Sequence, residues 1–391
     1  MIRAASRVPL LVLASSYLAA ASVWAQQEPL PEAAASRGQE ERVRDTAQWL
    51  TRLRQATRVP AYTGTYVVWS GGERLASSRI WRVSQGNMQV ERVDALSGPP
   101  RSICRVTDRH GSRVETFLPE QRVLRIDRNS KLGRGGFPNL PDAGRGVLPA
   151  NYYDARQGRQ ERVAGLMADV VRFVPRDDLR YGYRVWSEQR TGLAIKLQTL
   201  DARGRVLEQA AFSDLVFDVP LNPLALLGEV RRGMNHGPGW QVERVAHTPT
   251  TAMAEGWQIG EPNDQPVPGF VLQHCYRQPA PARAAGAVVG DIPAGTPATG
   301  DSANKSQGTM TGWFQCVFSD GLAAVSVFIE PDGAARYQSD REGSYPSELD
   351  AAWGATHLLA RRAGDTGWVT VVGEVPPPTL KRFAAGVSRL P

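Results

Sequence analysis

Residues 319–331, with the sequence SDGLAAVSVFIEP, join a turn to a long apolar strand. Strict alternation along the strand predicts one core-facing row, formed by Ala323, Val325, Val327 and Ile329. The preceding turn consists of Ser319, Asp320 and Gly321, because Ser and Asp side chains bond the local backbone and glycine accepts a positive φ. The stretch contains no pattern of catalytic residues. We therefore expect a structural strand, with only the turn exposed as a candidate contact for a partner.

Short alternating strands make up residues 62–127 and resume over residues 161–217. Turn signals such as Gly71-Gly72 separate them. An amphipathic helix predicted over residues 40–56 needs a surface to cover. We therefore predict a mainly β protein with some α (the α+β class), whose first domain is a curved antiparallel half-barrel covered by a helix.

The chain of 391 residues is long enough for two domains. Periodicity stops in residues 220–238, where Pro, Gly, Asn and Arg predominate, and we place a linker there. The half-barrel domain then spans residues 26–219, and a smaller α+β domain spans residues 239–391. Residues 279–308 are rich in Ala, Pro, Gly and Thr, which predicts a flexible insertion in the second domain.

The first 25 residues have the three zones of a secretory signal: Arg3 and Arg7, an apolar run, and small residues before Ala25. The apolar run is shorter than the roughly 20 residues of a membrane span. The nearest cysteine, Cys104, lies far from the cleavage site. We therefore expect an exported, soluble chain without a lipid anchor.

The mature chain has a net charge of 44 − 39 = +5, and nearly all its basic residues are arginines. Arginine binds carboxylate and phosphate in a bidentate manner, although genome composition also explains its abundance. An exported protein without a nucleic-acid module is not expected to bind nucleic acid. Several arginines at strand ends either receive lipid phosphates at a pocket mouth or serve as solubilising charge: Arg79, Arg82, Arg92, Arg101 and Arg105.

Cys275 and Cys316 lie on predicted strands that flank the insertion. In an exported chain they either form a disulfide at the base of this loop or remain two buried thiols. Cys104 lies within a predicted strand and is interpreted as a small buried hydrophobe rather than a reactive thiol.

No pattern of catalytic or metal-binding residues is found in the sequence. His274 and Cys275 are adjacent, so on a strand they point to opposite faces and chelate poorly. Serine nucleophile elbows and phosphate-binding glycine loops are absent. Asp177-Asp178, beside Arg180, is interpreted as a solvated loop. We therefore predict no enzyme activity, no cofactor and no metal.

The first domain is rich in aromatic residues, each of which either belongs to the core or lines an apolar pocket in the half-barrel. The candidate pocket residues are Tyr66, Trp69, Trp81, Phe117, Tyr183 and Trp186.

Two runs, SDGLAAVSVFIEP and residues 368–380 (WVTVVGEVPPPTL), resemble the C-terminal hallmark of the MucB/RseB family of periplasmic sigma-E regulatory proteins. Residues 183–217 resemble the half-barrel of the LolA and LolB lipoprotein carriers, which that family shares. The resemblance implies a periplasmic location and a LolA/LolB-like first domain.

The resemblance also implies a function: negative regulation of an envelope-stress sigma factor. The protein would bind the periplasmic part of a membrane-spanning anti-sigma factor, protect it from regulated proteolysis, and release it on binding lipid or lipopolysaccharide. A homo-oligomer is compatible with this function. The alternative is a soluble periplasmic lipid or lipoprotein carrier, which explains the first domain only. An envelope hydrolase has no motif to support it.

Overall fold

The computed structural model describes residues 42–43, 45–56, 59–71, 74–128, 148–234, 239–245, 247–260, 266–278, 313–331, 348–363 and 367–390. The predicted signal peptide and the insertion at 279–308 lie outside these residues.

The first domain is built on one sheet, which has thirteen strands in the described residues. In chain order these are β1 (Arg42–Val43), β2 (Ala61–Ser70), β3 (Arg74–Gln85), β4 (Met88–Ala95), β5 (Ser102–Asp108), β6 (Gly111–Leu118), β7 (Val123–Arg128), β8 (Tyr153–Val163), β9 (Leu166–Pro175), β10 (Gly182–Glu188), β11 (Ala194–Leu200), β12 (Val206–Phe217) and β13 (Gln241–Val245). Their spatial order is β1-β8-β9-β10-β11-β12-β2-β3-β4-β5-β6-β7-β13. Because β12 pairs antiparallel with β2, two consecutive meanders fuse into one open sheet. The predicted mainly β architecture is confirmed.

Helix α1 (Thr46–Gln55) covers one face of this sheet. Its buried side chains Trp49, Leu50 and Leu53 join a core cluster with Tyr153 and other residues of β8 to β11. The helix begins later than predicted because the Asp45 carboxylate caps it, accepting a hydrogen bond from the N–H of Ala47 at 2.9 Å. The two residues of β1 therefore precede the helix as a strand.

The linker predicted at residues 220–238 contains a helix in the structure. Residues 223–234 form helix α2 (Pro223–Met234), whose first turn is capped by the Asn222 side chain. Leu226 and Leu227 pack with a core cluster of β3 to β7. Strand β13 then pairs in parallel with β7, so it belongs to the first sheet and not to the second domain as predicted. A short helix that begins with Pro and contains Gly228 has the composition of a linker, which explains the misassignment.

In its described residues, the second domain has a seven-stranded sheet in spatial order β14-β16-β17-β18-β21-β20-β19, and a two-stranded ribbon of β15 and β22. The strands are β14 (Thr248–Thr250), β15 (Trp257–Ile259), β16 (Val271–Gln278), β17 (Trp313–Ser319), β18 (Ala324–Pro331), β19 (Glu348–Trp353), β20 (Thr356–Arg362), β21 (Gly367–Gly373) and β22 (Val387–Arg389). Helix α3 (Pro377–Ala385) packs on one face of the larger sheet.

The predicted core row of residues 319–331 is confirmed. Ala323, Val325, Val327 and Ile329 are all at most 1% exposed and lie in the core of the second domain. They share that core with side chains of α3, which fixes the helix over the sheet.

Cys275 on β16 and Cys316 on β17 are directly opposite each other, and the structure joins them in a disulfide. Both side chains are buried. Cys104 is also fully buried, in the cluster beneath α2.

We expect the Cys275→Ala/Cys316→Ala double variant to lose about 3–4 kcal/mol of unfolding free energy, because a bridge across 41 residues restricts the unfolded chain. Urea denaturation of the mature chain, monitored by tryptophan fluorescence, measures this loss. The control is Cys104→Ala, which trims a buried sulfur without opening a crosslink and costs about 1 kcal/mol. An unfolding midpoint that reductant leaves unchanged would contradict a structural role for the bridge.

Candidate functional site

A buried contact joins the two domains, and we name it the domain seam. Its main residues are Tyr153, Arg180 and Tyr181 from the first domain and Asp320, Leu322 and His357 from the second.

The carboxylate of Asp320 is the centre of the domain seam. Asp320 lies in the turn between β17 and β18 and is 0% exposed. Its Oδ2 accepts hydrogen bonds from Arg180 Nε at 2.8 Å and from the Tyr153 hydroxyl at 3.0 Å. Its Oδ1 accepts from the backbone N–H groups of Leu322 and Ala323 at 2.9 and 2.7 Å. Four donors thus surround a carboxylate that bulk solvent does not reach.

Arg180 is held from all sides, and its side chain is 0% exposed. The guanidinium stacks on the ring of Tyr152, with its Cζ 4.2 Å from the ring centroid, and lies 5.0 Å from the ring of Phe270. It also donates to the carbonyl of Pro268 and to the carboxylate of Asp177. These contacts leave the planar guanidinium a single orientation, so the loop before β10 is fixed against the second domain.

The loop containing Asp177-Asp178 and Arg180 is therefore not the solvated loop we expected. Arg180 faces the second domain, although Asp178 remains exposed. The sequence did not show this, because the partner of Arg180 lies 140 residues away in the chain.

Apolar contacts accompany the ion pair. Leu322, which follows the turn, is 3% exposed and packs in the first-domain cluster with Trp49, Leu50 and Tyr153. One residue later, the chain returns to the core of the second domain. The turn thus inserts a second-domain side chain into the first domain.

Further hydrogen bonds extend the domain seam on both sides. The Thr379 hydroxyl at the start of α3 donates to the carbonyl of Leu179 at 2.6 Å. On the other side, the Tyr181 hydroxyl and His357 Nε2 are 2.8 Å apart.

Two glycines permit the close approach. A Cβ at Gly269 would lie 2.3 Å from the ring of Tyr152, and a Cβ at Gly354 would lie 2.1 Å from Ser70 Oγ. Both residues also have positive φ, at 85° and 60°. The backbone at Gly269 therefore packs directly against the Tyr152 ring, and a side chain at this position would require the ring to move.

Burial shifts the titration of the central groups. Desolvation raises the pKa of Asp320, whereas the two backbone N–H groups, Arg180 and Tyr153 act to lower it. Desolvation, followed by the charge of Asp320, raises the pKa of Tyr153 well above its ordinary value. Tyr153 therefore stays protonated and remains a donor at neutral pH.

The expected exposure of Ser319, Asp320 and Gly321 is wrong. Ser319 is 2% exposed, and its hydroxyl donates to the carbonyl of Ala323 while accepting from the N–H of Gly321. The polar groups of the turn form hydrogen bonds with the local backbone and with the first domain. In this arrangement they offer no surface to a separate partner.

The six candidate pocket aromatics are divided among different packing clusters in the described part of the chain. Trp186 and Tyr66 pack in the cluster around Tyr62 and Phe212. Tyr183 belongs to the cluster beneath α1, and Phe117 and Trp81 to the cluster beneath α2. Trp69 is half-buried on β2. Strand alternation sends near neighbours to opposite faces, which divides the set. An apolar pocket in this domain therefore stays a prediction.

The predicted arginine cluster is divided in the same way. Arg82 pairs with Glu91 at 3.3 Å, and both are buried. Arg79 and Arg92 instead lie over the ring of Trp81, at 5.4 and 4.9 Å from its centroid. Because residues 81 and 82 are consecutive on β3, the two groups occupy opposite faces of the sheet. They do not form one ring around a pocket mouth.

In the part of the chain that the structure describes, no group of three or more His, Cys, Asp or Glu side chains is arranged to hold a metal ion.

We expect Asp320→Asn to lower the unfolding free energy by about 3 kcal/mol, because the neutral amide leaves the buried Arg180 without its main counter-charge. Urea denaturation of the mature chain measures the loss.

The matched control is Asp218→Asn. Asp218 pairs with Arg190 at 3.0 Å, but both side chains are more than 60% exposed, so we expect a change below about 1 kcal/mol. Equal effects of the two substitutions would show that the Asp320 contact does not stabilise the fold.

Comparisons with known proteins agree with this two-domain architecture. The family model described as MucB/RseB N-terminal domain matches residues 45–229, and that described as MucB/RseB C-terminal domain matches residues 251–388. The chain is 28% identical over 358 residues to the sigma factor AlgU regulatory protein MucB of Pseudomonas aeruginosa, covering 88% of this chain and 90% of that protein. It is 27% identical to the sigma-E factor regulatory protein RseB of Salmonella typhimurium, covering 61% and 60%.

Solved structures show the same fold. The crystal structure of MucB in complex with MucA(peri) matches with a TM-score of 0.57 at 24% identity, covering 89% of this chain and all of that one. A crystal structure of MucB matches with a TM-score of 0.52 at 25% identity, covering 88% and 98%. Because the two family models together match most of the chain, this protein belongs to the MucB/RseB family.

Proposed function

We propose that this protein is a periplasmic negative regulator of an envelope-stress sigma factor and acts by binding the periplasmic part of a membrane-spanning anti-sigma factor. The observation that carries the proposal is the match of both domains to one family, together with a relative named as a sigma factor regulatory protein. A structure of that type of protein in complex with MucA(peri) indicates the kind of partner.

The geometry of the domain seam supports a binding role for the two domains together. The buried Arg180–Asp320 pair and the inserted Leu322 hold surfaces of both domains in one orientation. A partner that contacts both domains would bind this arrangement without paying to order it, which raises affinity. Any ligand that changes the orientation would weaken that partner by linkage.

Two finer parts of the function rest on the family resemblance. The bound regulator shields the anti-sigma factor from regulated proteolysis, and lipid or lipopolysaccharide binding to the first domain releases it. Export depends on the N-terminal signal sequence. None of the helices in the described residues combines the length and apolarity that crossing a membrane requires.

A lipid or lipoprotein carrier explains the structure less well. It would use the first domain alone and give no role to a second domain that inserts its own residues into the first.

The test is binding of the mature chain, residues 26–391, to the purified periplasmic part of the anti-sigma factor from the same organism. We expect one-to-one binding with a Kd of about 1 μM or tighter by calorimetry, as an interface of standard size allows. Addition of a site-specific protease should cleave the free anti-sigma segment faster than the bound one.

Asp218→Asn serves as a control that should bind as the unmodified chain does. The ion pair of Asp218 with Arg190 is exposed, and neither residue belongs to the domain seam. No binding of a folded mature chain, together with lipid that remains bound through purification, would overturn the regulator and favour the carrier.

A further inference from the structure

We propose that a row of basic side chains on the first sheet binds an extended, acidic segment of the partner protein. Arg156 on β8 lies directly opposite Arg172 on β9, and Arg172 lies directly opposite Arg184 on β10. Directly opposite residues point to the same face of a sheet, with Cβ atoms about 5 Å apart. We name these three residues the arginine row. That the segment belongs to the anti-sigma factor rests on the proposed function.

The arginine row lies on the face of the sheet that points away from α1. The residues that alternate with it belong to the core cluster beneath α1: Tyr153, Ala155, Val171, Phe173, Tyr183 and Val185. Helix α2 packs over β3 to β7, which β11, β12 and β2 separate from the row. Arg156 is exposed, and Arg172 and Arg184 are half-buried. In the described residues, neither helix of the first domain therefore covers the arginine row.

Three like charges side by side do not help this sheet to fold, because like charges directly opposite each other destabilise a strand pair. The carboxylates of the same three strands have other partners: Asp154 binds Arg176, Glu161 accepts from Trp186, Asp169 pairs with Arg52, and Glu188 accepts from Thr191. Among the described residues, the buried Nε of Arg172 has no hydrogen-bond partner. Local arrangements that cost stability in this way are expected where a protein binds something.

The row continues across the sheet with polar and then apolar side chains. Next to Arg184 in the same line are Gln198, Gln209, Trp69 and Leu75. Arg184 Nη1 donates to Gln198 Oε1 at 3.4 Å, and Gln198 Nε2 donates to Gln209 Oε1 at 2.7 Å. Trp69 is half-buried, and Leu75 is 65% exposed. From β8 to β3 the line thus changes from cationic to apolar over about 29 Å, at about 4.8 Å per strand.

The apolar end of this line lies beside the second domain. A Cβ at Gly71, two residues after Trp69, would be 3.4 Å from the Cα of Gly354. Trp353, directly before Gly354, is 39% exposed. A segment bound along the line would therefore contact the arginine row at one end and come close to the second domain at the other.

An extended peptide matches the line in length and in chemistry. About nine residues of extended chain span about 29 Å. Guanidinium groups bind carboxylates in a bidentate manner, and glutamine amides both donate to and accept from peptide groups. The segment should therefore carry acidic side chains at one end and apolar side chains at the other.

Two other occupants fit the arginine row less well. A second copy of the chain, docked face to face in a symmetric dimer, would bring one arginine row against another. A lipid head group needs space for acyl chains beside it, but the apolar neighbours of the row are already packed. Val170 is 4% exposed and Trp186 is 2% exposed.

Fluorescence anisotropy of a labelled peptide with the mature chain tests the proposal. The probe is a synthetic peptide of about nine residues, with glutamates at one end and Leu and Trp at the other. We expect it to bind, and to bind more weakly as NaCl rises from about 50 to about 300 mM, because salt screens the charges. A reference peptide with lysines in place of the glutamates should not bind.

Arg172→Gln should weaken binding of the acidic peptide about tenfold, since it removes a charged hydrogen-bond donor. It should not lower the urea midpoint, because it also removes like-charge repulsion within the sheet. An arginine with a purely structural role would give the opposite pair of results. The matched control is Arg109→Gln, in the exposed turn between β5 and β6, which loses the same charge and should bind as the unmodified chain does.

The proposal is overturned if the unmodified chain does not bind the acidic peptide, or if a folded Arg172→Gln variant binds it equally well. Vesicles containing phosphatidylglycerol serve as a parallel probe in co-sedimentation. Vesicle binding that Arg172→Gln weakens, without any peptide binding, would assign the row to lipid and overturn the proposal.

The peptide measurement does not contain the anti-sigma factor, so its failure is separate from failure of the proposed function. Calorimetry with the purified periplasmic part of the anti-sigma factor then tests the identity of the segment. We expect Arg172→Gln to bind it about tenfold more weakly than the unmodified chain. Equal affinities would overturn the assignment of the segment to this partner and leave the proposed function intact.

Discussion

The ion pair between Arg180 and Asp320 fixes how the two domains of this protein meet. Burying a guanidinium and a carboxylate removes their hydration, and only good geometry with further hydrogen bonds offsets that cost. Here Tyr153, two backbone N–H groups and the Pro268 carbonyl provide those bonds. Leu322 and the aromatic rings add apolar contacts around the pair, and the four hydrogen bonds of Asp320 fit one orientation of the two domains.

Burial also changes how the central carboxyl group of the domain seam titrates. Desolvation raises the pKa of Asp320, and its hydrogen-bond donors and Arg180 act against that shift. Two of these donors, Leu322 and Ala323, belong to the turn itself, whereas Arg180 and Tyr153 belong to the first domain. The carboxylate therefore depends on groups from both domains.

Much of the fold followed from local patterns. The alternation of residues 319–331 predicted which side chains enter the core, and the positions of Cys275 and Cys316 limited the disulfide to one pair of strands. Local patterns failed at α2 and β13, where a Pro- and Gly-containing segment was interpreted as a linker. That helix is stabilised by packing against β3 to β7, which its own composition does not encode.

The sequence by itself determined the class of fold and the family, because these depend on periodicity and on motifs within short stretches. Only the tertiary structure decided the role of the Ser319–Gly321 turn and of Arg180. Both are polar and lie beside turn signals, so the local sequence around each one predicts a solvated loop. Each is buried because it pairs with the other, and the two lie 140 positions apart in the chain. A local sequence pattern does not indicate which distant charge a residue will contact.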